Sequence, residues 1–301
     1  MGILWKGGDW LIKGAKEISI SYNIDPFVIG LTVVAFGTSL PEFFVSFIAN
    51  LSDSGDIALG NVLGSNVANI AMVLGVASIL TPIMMKKITL YLDIPIMFFI
   101  SVIFYILMLD GTISRIDGIV LTFLFVAYIT YVYIRAKKLN ENLLEDDIPE
   151  TTSRFKDFGI IILGIIGLYF GSDLTIAGAS GLARAMGVSE LAIGLTIVAI
   201  GTSLPELVAT LQAIKSKNHH IGVGNIIGSN VFNLLFVIGI NSCIKPFAVA
   251  SANIYYWGPL MLLITLVLFP MGFKRNFITK KSGYFLLGFY ILYLLASFIV
   301  Q

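Results

Sequence analysis

The stretch Gly30-Leu-Thr-Val-Val-Ala-Phe-Gly-Thr-Ser-Leu-Pro-Glu42 recurs almost unchanged as Gly194-Leu-Thr-Ile-Val-Ala-Ile-Gly-Thr-Ser-Leu-Pro-Glu206. A companion follows each copy, Gly60-Asn-Val-Leu-Gly-Ser-Asn-Val-Ala-Asn69 and Gly224-Asn-Ile-Ile-Gly-Ser-Asn-Val-Phe-Asn233, and the offset is 164 positions for both motifs. A gapless repeat that sets Glu, Pro, Thr, Ser and Asn inside apolar sequence is hard to explain by packing alone. It constrains the chain to fold as two copies of one unit sharing a two-fold polar site.

With 57% hydrophobic and only 12% charged residues in 301, the chain is too apolar to cover its surface as a soluble fold, and the class is an all-α integral membrane protein. Alternating strand patterns are absent, which excludes a β-barrel. A net charge of +1, with no basic run interleaved with aromatics, gives no reason to expect nucleic acid. Cys243 is the single cysteine, so neither an intrachain disulfide nor a cysteine metal cluster is available. Lys6, Asp9 and Lys13 interrupt what would be the apolar core of a signal peptide.

A spanning helix needs roughly 20 mainly apolar residues, and ten stretches meet that expectation: 3–22, 26–51, 57–81, 88–109, 116–135, 156–182, 188–214, 220–243, 252–271 and 281–300. A polar linker, 137–154, divides them into a first repeat, 1–136, and a second, 155–301. Five spans per half is an odd number, so the second copy enters the membrane inverted, the plan of many secondary transporters. Thirteen of the 19 Lys and Arg, among them Lys86, Lys87, Arg135, Lys137, Lys215 and Lys280, fall on one set of loops. Cytoplasmic loops carry that excess, which places the linker inside and both termini outside a multi-pass cell-membrane protein. The sixth span has an apolar lead-in, Phe158 to Gly164, without a counterpart before Met1, so the first span reads as about two turns shorter.

Ionisable residues deep in a bilayer cost on the order of 2.5–3.5 kcal/mol and mark functional sites. Glu42 and Glu206 are such residues. Thr38 stands one helical turn from Glu42 and Thr202 one turn from Glu206, while Ser65 with Asn69 and Ser229 with Asn233 repeat the spacing. Pro41 and Pro205 remove a helix N–H and free the carbonyls of Gly37 and Gly201. These groups offer oxygen and no fixed positive charge, the chemistry that hard cations such as Ca²⁺ require, whereas soft metals would prefer Cys, His or Met. The two carboxylates are neutralised by one Ca²⁺ or by two or more Na⁺. A cation channel and an intramembrane hydrolase with Ser39 or Ser203 as nucleophile are the competing classes, although no His or Lys stands near either motif to activate a serine.

Gly-Thr-Ser-Leu-Pro-Glu in both halves, each with Gly-Asn-x-x-Gly-Ser-Asn behind it, resembles the α-repeats of the cation/calcium exchanger superfamily, and specifically its sodium/calcium exchanger branch, over essentially the whole chain. The resemblance implies a Na⁺/Ca²⁺ antiporter, with Na⁺ and Ca²⁺ as transported ions, no organic cofactor and no enzymatic activity. It implies four clustered cation sites between the second, third, seventh and eighth spans, with the first and sixth sliding to alternate access. Carried over by position, it assigns ligand roles to Glu42, Glu206, Thr38, Ser39, Thr202, Ser203, Ser65, Ser229, Asn69 and Asn233, and to the carbonyls of Ala35 and Ala199. Proton-for-calcium exchange is the nearest rival, but that branch carries His after a Glu, which neither half does here. Some relatives, including potassium-dependent ones, have Asp where this chain has Asn233, which argues against K⁺ co-transport. The lipid bilayer is the expected partner and a monomer the default state.

Other polar features read as structural. Asp9 and Asp173 serve as interfacial anchors, His219 and His220 as solvated loop residues, Glu145-Asp-Asp147 as part of a solvated linker without EF-hand spacing, and Tyr255, Tyr256 and Trp257 as an interfacial belt.

Overall fold

The computed structural model describes residues 1–141, 154–188, 193, 197, 199–273 and 277–299. The acidic stretch 145–147, Gly194 to Thr196 of the second motif, and Lys274 with Arg275 lie outside the described residues. The helices are α1 (Gly2–Ser21), α2 (Pro26–Thr38), α3 (Leu40–Leu51), α4 (Gly55–Leu80), α5 (Thr89–Leu107) and α6 (Arg115–Glu141) in the first part of the chain. They are followed by α7 (Arg154–Ala185), α8 (Ala199–Thr202), α9 (Leu204–Lys215), α10 (His219–Ile244), α11 (Asn253–Met271) and α12 (Lys280–Ser297). Among the described residues six helices, α4, α5, α6, α7, α10 and α11, are long and apolar enough to cross a bilayer, and the bent pair α2–α3 makes a seventh if taken as one span. The stretch 137–141, read from sequence as the start of the linker, continues α6 as helix.

The expected 26–51 span is two helices. Pro41 cannot donate to the carbonyl one turn back, so α2 stops at Thr38, and the chain turns 43° at Ser39 before resuming with Pro41 in the first turn of α3, where no N–H is needed. Pro205 repeats the break at Ser203, between α8 and α9. Each glutamate therefore sits in the first turn of a fresh helix, where the N-terminal dipole favours negative charge. A wide π-turn interrupts α2 at Gly30–Val34, and others interrupt further helices at Asn69–Val73 and Asn233–Val237, and at Thr89–Asp93 and Asn253–Trp257, each of these two pairs 164 positions apart. An extra residue per turn re-aims the side chains around it, a feature concentrated at functional sites.

Helices α10 and α4 form the centre, with 94% and 83% of their spanning stretches buried against 17% for α6. Close backbone approach sets how α10 meets α2. A Cβ on Gly228 would fall on the Leu31 carbonyl oxygen and 2.7 Å from the Ala35 methyl, and one on Gly30 would fall on the Ile221 carbonyl oxygen. Such small residues let membrane helices cross closely. Helix α1 lies along α7 in the same manner, with the Gly7 Cβ position 2.6 Å from the Leu168 amide nitrogen. At the helix ends, short antiparallel pairs stitch early loops to late ones: β1 (Ile83–Met84) to β4 (Phe277–Ile278), and β2 (Thr112–Ile113) to β3 (Phe247–Ala248).

Because backbone faces backbone at the α2–α10 crossing, Gly228→Leu should lower thermal stability by at least about 1–3 kcal/mol. The same substitution at Gly60, where a Cβ meets nothing within 4 Å, should cost far less; fluorescence-detected thermal unfolding in detergent compares the two.

Candidate functional site

The α2–α10 crossing carries the first motif onto the second companion motif. Thr38 Oγ1, at the end of α2, donates to Asn225 Oδ1 at 3.0 Å and lies 3.3 Å from Ser229 Oγ. Ser39 Oγ, at the break itself, donates to Glu206 Oε1 at 3.0 Å. A hydroxyl of one motif copy thus holds the carboxylate of the other. Within each half, the companion motif holds its own glutamate: Ser65 Oγ donates to Glu42 Oε1 and Ser229 Oγ to Glu206 Oε1, both at 3.5 Å. Both glutamates are 0% exposed.

The glutamate backbones are held as well. Asn61 Nδ2 donates to the Glu42 carbonyl at 3.2 Å and to Ser46 Oγ at 2.9 Å; Asn225 Nδ2 donates to the Glu206 carbonyl at 3.4 Å and to Thr210 Oγ1 at 3.2 Å. These asparagines belong to the companion motifs, yet sequence reasoning assigned them no role. The signal was the second residue of Gly-Asn-x-x-Gly-Ser-Asn, and what was missing was the tertiary partner.

The expected residues gather in one buried region. Thr38, Ser39, Glu42, Asn69, Ser203, Glu206, Ser229 and Asn233 are fully buried, and Ala35, Ser65 and Thr202 nearly so. The Ala35 carbonyl accepts from Thr38 Oγ1 at 3.3 Å and from the Ser39 amide at 3.0 Å. Ala199 opens α8. Two expectations change. The Gly201 carbonyl is not free, because Ser172 Oγ of α7 donates to it at 2.7 Å. His219 and His220 begin α10 rather than a solvated loop, are half-buried, and the Nδ1 of His219 is buried without a partner. Asp9 pairs with Lys6 on the surface at 3.0 Å.

What the hydrogen bonds leave over defines the chemistry. Glu42 Oε2, Glu206 Oε2, Asn69 Oδ1, Asn233 Oδ1 and Ser203 Oγ are buried and have no partner. All are oxygens, and four form two pairs offset by 164 positions. A buried polar group without a partner costs roughly 1–3 kcal/mol and more when charged, so each of these oxygens carries an unmet demand that a donor or a cation would satisfy. Among the described residues no cluster of three or more His, Cys, Asp and Glu forms, and the donor set is that of a hard cation.

The class this fold and its buried oxygens point to is a helical membrane transporter for hard cations. The chain belongs to the sodium/calcium exchanger protein family, whose pattern matches residues 1–134 and 156–299. It is 35% identical to the putative antiporter CaxA of Alkalimonas amylolytica, over 97% of this chain and 93% of that protein. It is 29% identical to the sodium/calcium exchanger MaX1 of Methanosarcina acetivorans, over 99% and 96%. A solved structure of the sodium-calcium exchanger NCX_Mj, soaked with 2.5 mM Na⁺ and 0.1 mM Ca²⁺, superposes with a TM-score of 0.83 at 31% identity, covering 96% of this chain and 93% of that one. These relatives are transporters and not enzymes, and the chain is a cation/Ca²⁺ exchanger of a multi-helix membrane fold.

The two motif serines differ in their surroundings. Ser39→Ala removes a hydrogen bond to a carboxylate and should lower ion-free thermal stability by about 1.5–3 kcal/mol. Ser203→Ala removes a hydroxyl without a partner and should leave that stability unchanged or raise it, as read by thermal unfolding in chelator.

Proposed function

We propose that the protein is a secondary active antiporter that exchanges Na⁺ for Ca²⁺ by alternating access at the chamber around Glu42 and Glu206. One observation carries this reading: both carboxylates are wholly buried, and each keeps one oxygen without a donor. In the proposed cycle Glu42, Glu206, Thr38, Ser39, Thr202, Ser203, Ser65, Ser229, Asn69 and Asn233, with the Ala35 and Ala199 carbonyls, supply the ligand oxygens. One Ca²⁺ or at least two Na⁺ cancel the charge of the pair. Ser39 lies near the middle of the 26–51 segment, which favours a position near the bilayer midplane.

In the same reading, two inverted repeats of five spans, 1–136 and 155–301, flank a cytoplasmic linker, with both termini outside. The matched offsets of the helix breaks, the π-turns and the glutamate clamps support that symmetry. The charge rule for exchange follows from desolvation. An uncompensated carboxylate pair moved past an apolar barrier meets mutual repulsion and a loss of hydration worth several kcal/mol. Loaded forms switch sides, and bare ones do not.

Proteoliposomes loaded with Na⁺ should take up radiolabelled Ca²⁺ when diluted into Na⁺-free medium, and Glu206→Gln should reduce uptake to background. Uptake that follows a pH gradient and ignores replacement of Na⁺ by choline would assign the exchange to protons instead. Ca²⁺ efflux into medium lacking any counter-cation would refute obligatory exchange.

A further inference from the structure

Asn66 and Asn230 follow the motif serines directly and carry no role in the reading above. An asparagine side chain is an acceptor at one end and a donor at the other, and only the carbonyl end can ligate a cation. Asn69 stands one turn beyond Ser65 on α4, and Asn233 one turn beyond Ser229 on α10, so the end each presents to the chamber decides whether it is a ligand. Both present oxygen, because their amino groups are claimed from the opposite half of the chain. Asn69 Nδ2 donates to Asn230 Oδ1 at 3.3 Å, and Asn233 Nδ2 donates to Asn66 Oδ1 at 3.1 Å.

The outer pair is itself oriented. Asn230 Nδ2 meets the Met97 sulfur at 3.5 Å, and Asn66 Nδ2 meets the Met261 sulfur at 3.9 Å as well as the Asn230 backbone carbonyl at 3.2 Å. A thioether and a carbonyl accept and cannot donate, so each selects the amino end of its asparagine and turns the carbonyl end inward. All four asparagines are 0–1% exposed, which leaves solvent no part in the choice. Two links, inner to outer asparagine and outer asparagine to methionine, are each present twice, at the same offset of 164.

We propose that Asn66 and Asn230, set by Met261 and Met97, are positioning residues that fix the amide orientation of Asn233 and Asn69 and thereby keep both carbonyl oxygens toward the transported cation. The inference rests on the antiport reading, and it predicts a defect in ion affinity more than in turnover. An inner asparagine whose amino group has lost its acceptor can turn over, and then presents a donor to the cation.

The test is a double-mutant cycle on Na⁺-driven Ca²⁺ uptake in proteoliposomes, with Glu206→Gln as the control for the site itself. Asn230→Leu, similar in size and lacking the acceptor, should raise the half-saturating Ca²⁺ concentration roughly tenfold with little change in maximal rate, the loss of about one ligand interaction. In an Asn69→Ala background, Asn230→Leu should add nothing further, because the residue through which it acts is gone. A lowered maximal rate at unchanged half-saturation, or effects that multiply in the double variant, would overturn the proposal. Should Asn230→Leu not assemble, Met97→Leu conserves volume and enters the same cycle. Its expected shift is roughly two- to threefold, for a weak sulfur acceptor, and no shift there overturns the proposal equally. If Glu206→Gln transports as well as the unaltered protein, the antiport site is what fails.

Discussion

Two fully buried carboxylates set the terms for everything around them. A carboxylate taken out of water needs a compensating charge or a full set of donors. Here each receives donors on one oxygen and none on the other. Under the proposed antiport this partial compensation is what makes the arrangement useful, since a carboxylate fully satisfied by protein would have no reason to bind and release an ion. The helix breaks at Ser39 and Ser203, the start of a new helix dipole at each glutamate, and the Asn61 and Asn225 clamps on the glutamate backbones all follow from holding these groups in place without neutralising them.

The scaffold that meets this demand is built from close backbone contact. Bulky side chains at Gly30 or Gly228 would push α2 away from α10 and separate Thr38 from Asn225, and with it Ser39 from Glu206. The same economy appears where α1 lies along α7. The short strand pairs then close both ends of the bundle by joining loops far apart in sequence. Function and packing are not separable in the companion motifs: in Gly228-Ser229-Asn230 the glycine admits the neighbouring helix, the serine holds the carboxylate and the asparagine reaches across to Asn69.

The halves are not interchangeable at every point. Ser39 reaches Glu206, whereas Ser203 Oγ has no partner. Ser172 holds the Gly201 carbonyl, and its counterpart 164 positions earlier is Gly8, which has no side chain to do so. Near-identical motifs therefore give the two carboxylates unequal surroundings, a difference that motif matching alone does not reveal.

Much of the candidate site was legible in the chain itself. A charged residue cannot occur twice in matched apolar surroundings without a reason that outweighs its burial cost, so Glu42 and Glu206, with Thr38, Ser65 and Asn69 and their counterparts, stand out before any coordinates, as does the helical membrane class. What the linear order could not contain is which groups meet across 164 positions. Ser39 with Glu206, Thr38 with Asn225 and Asn69 with Asn230 are contacts between halves, and no local propensity encodes them. Nor did periodicity reveal the π-turns, the buried Nδ1 of His219 or the Ser172 bond to Gly201, the last a contact between helices that local spacing does not encode. Residue chemistry determined an oxygen-rich donor set of the kind hard cations need; tertiary packing decided which of those oxygens bond within the protein and which keep no partner.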